Sequence, residues 1–150
     1  MRSIVLKSHL PILSLLAVFF GSIQTAFAQN KTDKPALEIK VKVADYPDSM
    51  QNVLLLGRYY GGSQYIIDTA VYNAKTKEYV FTSEKPKERG LYLLITNDKR
   101  FAEFILDENQ RFSIETAFPN LTENIKFSGS PENQLYMDFI EAGKADYKAM

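Results

Sequence analysis

Alternation with a period of two, restarted again and again between clusters of turn-forming residues, is what most limits the folds open to this chain. It is cleanest where Leu37, Ile39, Val41 and Val43 alternate with Glu38, Lys40 and Lys42. Such spacing puts one set of side chains on a dry face and the other on a wet one, as a half-buried β-strand requires. Asp45-Tyr46-Pro47-Asp48-Ser49 is dense in turn formers and closes that strand. Val53 to Tyr60 reads as a second, more apolar and therefore more central strand, and Gly61-Gly62-Ser63 turns it into a third, Gln64 to Tyr72. There the alternation predicts Tyr65, Ile67, Thr69 and Val71 on one face and Ile66, Asp68, Ala70 and Tyr72 on the other.

Further strands are expected at Glu78 to Ser83, Leu91 to Thr96, Phe101 to Leu106 and Arg111 to Thr116, with a last short one at 125–127. Phe118 to Asn124 reads as a connector, and the charged stretch 84–89 as a solvated loop whose charges nearly cancel. Strands this closely spaced, with no helical pattern among them, predict a mainly β fold. The expected architecture is an antiparallel β-sandwich or barrel of about seven to eight strands over 37–128. The period then changes. Ser130-Pro131-Glu132 is a helix start, with a capping serine, proline at the first helical position and an acid in the first turn. Leu135, Phe139, Gly143 and Tyr147 follow at steps of four, with Tyr136 and Ile140 beside them, and mark an amphipathic helix from 130 to 150. It carries no stop signal before Met150, so the sequence reads as cut from something longer.

The first 28 residues read as a secretory signal. Arg2 and Lys7 precede an apolar run from Leu10 to Phe20, and Ala26 and Ala28 supply the A-x-A pattern, so cleavage is expected after Ala28. The run is short for a permanent anchor, which needs about 20 apolar residues. Removing 28 of the 150 residues leaves 122, with 16 basic against 18 acidic side chains, a balance of −2. A surface so weakly charged lacks the basic footprint of nucleic-acid binding. Residues 29–36 are polar and read as a flexible tail. The expected product is exported to the periplasm or cell envelope without stable membrane insertion.

Past the signal, the chain contains no cysteine, histidine or tryptophan; its single histidine is His9. That removes a disulfide scaffold and most side chains used for nucleophilic, metal-assisted and near-neutral acid–base chemistry. Asp107-Glu108 with Glu103 or Glu115 offers carboxylates, but turns are routinely acidic and the spacing of a calcium loop is missing. No enzyme constellation, no cofactor site and no metal site is therefore expected. Tyr59, Tyr60 and Tyr65, around Gly61-Gly62, form a possible platform for a sugar or peptide, although aromatics at strand ends commonly serve packing. Asn120-Leu121-Thr122 fits an N-glycosylation acceptor, and Asp48-Ser49-Met50 and Asp68-Thr69-Ala70 fit a short O-glycosylation pattern of Bacteroidota, with Ser49 the better placed.

Four blocks carry a family resemblance: Ile67-Asp68-Thr69-Ala70, Gly90-Leu91-Tyr92-Leu93, Phe104 to Gln110, and Phe127-Ser128-Gly129-Ser130-Pro131-Glu132-Asn133-Gln134-Leu135. Their order resembles the N-terminal β-domain, a domain of unknown function, of secreted thioredoxin-like (AhpC-TSA-type) thiol–disulfide oxidoreductases of Bacteroidota. The resemblance implies an exported β-domain followed by a helical region and a thioredoxin fold with a Cys-x-x-Cys pair. This sequence ends at Met150 without a cysteine, and Lys77-Glu78 stands where the family often has glycine. No catalytic residue transfers. The expected role is a non-catalytic accessory domain that docks or positions a protein partner, or its own missing C-terminal domain, along Leu135, Phe139 and Tyr147. The alternative is a stand-alone glycan- or peptide-binding module using Tyr59, Tyr60 and Tyr65.

Overall fold

The computed structural model describes residues 34–149, with side chains through Lys144. The signal segment with its cleavage point after Ala28, the first residues of the polar tail and Met150 lie outside the described residues. Eight strands precede one helix: β1 (Leu37–Ala44), β2 (Val53–Tyr60), β3 (Ser63–Val71), β4 (Tyr79–Ser83), β5 (Gly90–Ile95), β6 (Phe101–Leu106), β7 (Arg111–Ala117), β8 (Lys126–Ser128) and α1 (Pro131–Ala149). They form two four-stranded sheets, β4-β1-β7-β8 and β3-β2-β5-β6. The architecture is an open sandwich and not a closed barrel. It is also not wholly antiparallel, because β1 and β7 run parallel, from Glu38 opposite Arg111 to Ala44 opposite Ala117.

The dry face of β1 is as the alternation requires: Leu37, Ile39 and Val41 are fully buried. Leu54 and Leu56 of β2, Tyr92 and Leu94 of β5, and Phe104 and Leu106 of β6 meet them in one core. Burial on this scale is worth about 1.5–3 kcal/mol for each large apolar side chain. A chain of rings crosses the sandwich. Tyr92 and Phe104 have centroids 6.0 Å apart, Phe104 and Phe112 5.9 Å, and Phe112 and Phe127 6.4 Å, so four strands of both sheets are tied by aromatic contacts. Such pairs prefer these tilted and edge-on geometries.

Two local features set the shape of the second sheet. Gly61 and Gly62 both have positive φ, 57° and 81°, which only glycine adopts freely, and they close β2 onto β3 with Tyr60 opposite Ser63. Further along, the register steps from Gly57 opposite Ile66 to Leu56 opposite Asp68, leaving Ile67 unpaired in a bulge. The strict alternation expected for β3 therefore fails. The extra residue puts Tyr65 on the same face as Asp68 and Ala70, and Ile66 on the face of Thr69 and Val71. The peptide bond between Phe118 and Pro119, at the start of the connector, is cis.

Candidate functional site

The three tyrosines singled out from the sequence are split between the two faces of the second sheet. Tyr60 and Tyr65 lie on the face of Arg58, whose guanidinium sits 5.9 Å from the Tyr60 ring and 5.9 Å from that of Tyr92. Arg58 Nη2 is 2.6 Å from Glu88 Oε2, and that contact is the main reason its pKa is raised. Tyr60 and Tyr65 are themselves more than half exposed. Tyr59 points to the opposite face, where its hydroxyl donates to Glu103 Oε1 at 3.0 Å and accepts from Gln64 Nε2 at 2.9 Å.

Glu103 also joins the helix to the sheet. Its second oxygen accepts from the Tyr136 hydroxyl at 3.3 Å, and burial first, then this carboxylate, raises the Tyr136 pKa. On α1, Asn133 is buried and Tyr136, Met137 and Ile140 are half-buried against β6 and β8. Leu135 and Phe139 are 71% and 73% exposed, on the side of the helix that touches neither sheet. Tyr147 lies on the same helix, and its side chain is outside the described residues.

Two of the blocks that carry the family resemblance, Phe104 to Gln110 and Phe127 to Leu135, supply stitches between backbone segments. The Asn133 amide accepts from Ile105 N–H at 2.6 Å and donates to Ile105 C=O at 2.7 Å. It thus stands in for a neighbouring strand on the free edge of β6, and it donates to Ser130 Oγ at 2.8 Å as well. Gln110 does the same for the charged loop, accepting from Lys87 N–H and donating to Lys87 C=O, both at 2.8 Å. Asn109 donates to the Gly129 carbonyl, fixing the entry to the helix. The glycine there has φ 89°, and Ser130 is the capping residue, its carbonyl accepting from Gln134 N–H at 3.3 Å.

The acids divide among separate duties. Asp107 and Glu108 hold Arg89, Glu103 serves the two tyrosines, and Glu115 is on the first sheet. Among the described residues no group of three or more His, Asp or Glu side chains is placed to hold a metal ion. Ser49 and Thr69 are both exposed, and the Thr69 N–H donates to Asp68 Oδ1 at 2.8 Å. Asn120 is exposed and donates from Nδ2 to Glu123 at 3.0 Å.

One concavity was not visible in the sequence. A cleft of about 480 Å³ opens where β1 and β7 end, lined by Lys42, Tyr72, Lys77, Glu115, Asn124 and Lys126 among others. Four separate segments contribute, so no motif announces it. Lys77 sits in the tight turn before β4. Its φ is +56°.

A family model described as a domain of unknown function (DUF4369) matches residues 37–136, from the first residue of β1 to the second turn of α1. No curated protein and no solved structure matches the chain.

Proposed function

The chain belongs to the DUF4369 family, a domain of unknown function, and from that premise we propose that it is a non-catalytic interaction domain whose exposed α1 strip docks a folded protein partner. The observation that supports this reading is the pair Leu135 and Phe139, large apolar side chains one helical turn apart and both more than 70% exposed. The helix is already held by its other side, through Asn133 and Tyr136, so the strip is free to receive a partner without unfolding its own contacts. The resemblance to envelope proteins of Bacteroidota makes a thioredoxin-fold domain the partner of choice, on this chain's own continuation or on another exported protein. The signal pattern read from residues 1–28 supports the periplasm or envelope as the setting of that encounter.

A photo-crosslinking residue placed at position 139, and for comparison at exposed Val80 of β4, tests the reading in the native envelope. A discrete adduct from position 139, absent from position 80 and lost with Leu135→Asp, is expected. Equal labelling from both positions, or none from 139, would overturn it.

A further inference from the structure

We propose that the cleft at the ends of β1 and β7 binds an acidic sugar, a uronate, through Lys77 and Lys126. The cleft follows from topology. Because β1 and β7 are parallel, with Lys42 opposite Glu115 and Ala44 opposite Ala117, both chains leave the sheet at the same end. The β3–β4 turn supplies Tyr72 and Lys77, the connector before β8 supplies Asn124, and β8 itself supplies Lys126. About 480 Å³ is within the range of small-ligand sites.

The charges in the cleft are not all spoken for. Lys42 Nζ is 3.4 Å from Glu78, and Lys126 stands opposite Glu115 in the β7–β8 register, but among the described residues neither Lys77 nor Lys126 has an acidic oxygen within 4.0 Å. Lys77 also holds a left-handed backbone, φ +56°, in the tight turn where its N–H donates to Asn73 C=O at 2.7 Å. Glycine takes that conformation without cost and an L-residue does not. Asp45 and Lys99 take the same conformation, and of the three Lys77 is the one that lines the cleft.

The remaining groups select the ligand. Glu115 accepts hydrogen bonds from hydroxyls, and Asn124 both donates and accepts. Tyr72, tilted against Tyr79 at 5.3 Å, offers a ring wall. A molecule with a carboxylate at one end and hydroxyls along a ring meets lysines, glutamate and asparagine together. Phosphate uses the lysines and the Asn124 amide but leaves the ring wall unused, and a neutral sugar brings no charge to meet the lysines. The site is separate from Leu135 and Phe139 and stands whether or not that strip docks a protein.

Titration of the purified chain with D-glucuronate, D-glucose and inorganic phosphate, followed by amide chemical shifts, tests the assignment. Glucuronate is expected to move the amides of Val43, Ala44, Lys77, Thr116 and Lys126 with an affinity near ~1 mM, with glucose silent and phosphate much weaker. Lys77→Gly separates binding from folding. It should raise Tm by about 2–6 °C while weakening glucuronate about two- to fivefold. Lys126→Gln should weaken it similarly at unchanged Tm. A tetragalacturonate that binds more tightly than the monomer supports a uronate held within a polymer; equal affinity supports the free acid. Absence of cleft-confined shifts, phosphate binding as well as glucuronate, or undiminished affinity in Lys77→Gly would each overturn the proposal.

Discussion

The two sheets dry their inner faces alike but treat their outer faces differently. On β1 the outward positions are Glu38, Lys40 and Lys42, and they pair with neighbours as surface charges do: Lys40 with Glu38 at 3.5 Å, and Arg111 with the same glutamate at 3.6 Å. Across the sandwich, the outward row of the second sheet is largely apolar, Glu103, Gln64 and Thr69 apart. Ile95 and Leu93 close over Gly57 there, and a Cβ added to it would stand 2.8 Å from Ile95 Cδ1 and 3.2 Å from Leu93 Cβ. Leu93 is fully buried although it belongs to the outward row and not to the central core, while Phe101 and Ile66 beside it remain about half exposed. One sheet therefore ends at water. The other carries a second, shallow apolar layer, and the helix that crosses its edge adds Leu135 and Phe139 to the exposed apolar surface of the molecule.

Breaking that layer should show most clearly at Leu93. Leu93→Ala is expected to cost about 2–4 kcal/mol in urea unfolding, whereas Lys40→Ala, the equivalent outward position on the first sheet, should stay within about 0.5 kcal/mol. A Leu93 loss below that of Lys40 would mean the outer row is not packed at all. Next in size, Asn133→Ala leaves the Ile105 N–H and C=O without their partner and should cost about 2–3 kcal/mol. Hydrogen exchange would read the same change locally, as faster exchange of the Ile105 amide.

Gly57→Ala sharpens the comparison from the other side, because the new methyl enters space that Ile95 and Leu93 already fill. A loss of about 1–2 kcal/mol is expected, limited by how far the end of the Ile95 side chain can turn away. The inner faces should then behave alike in alkali. Burial raises the phenol pKa of Tyr79 in the first sheet and Tyr92 in the second, and each donates at 2.6 Å, to Gln51 C=O and Glu88 C=O. Since the folded pKa lies above the unfolded value of about 10, this contribution is complete below that pH and is lost as pH rises beyond it. Thermal unfolding followed between neutral pH and strong alkali should show a decline only above that point. The smallest expected effect is Phe101→Ser, within about 0.5 kcal/mol, but with reduced binding of a hydrophobic dye.

What could be read from the sequence follows the same division. β1 was legible because its faces differ in polarity at every step, and the turn at Gly61-Gly62 because two residues of that kind between strands admit few geometries. β5 reads as a continuous apolar run, Leu91-Tyr92-Leu93-Leu94-Ile95, and such a run does not say that both of its faces are dry for different reasons. The bulge at Ile67 left no trace, since an unpaired isoleucine looks like a paired one. Alternation also says nothing about which strand lies beside which, so the parallel partnership of β1 and β7 was not foreseen. On the helix, spacing by fours found Leu135 and Phe139 as a stripe, but the side that meets the sheets is anchored by a polar residue, Asn133. Its value lies in matching the backbone of Ile105, which hydrophobic spacing cannot detect.

The parallel pair also bears on the order in which the molecule can assemble. Glu38 and Arg111, partners at the start of that ladder, are 73 positions apart, whereas β2, β3, β5 and β6 are joined by neighbouring hairpins and one short excursion. Closing so long a loop comes late, because its entropy must be spent before any ladder contact repays it. A chain synthesised amino end first would hold β1 without its β7 neighbour until nearly the whole domain had emerged. Pulse-labelled refolding should accordingly protect the Leu93 amide before that of Ile39, and the reverse order would place the nucleus in the first sheet.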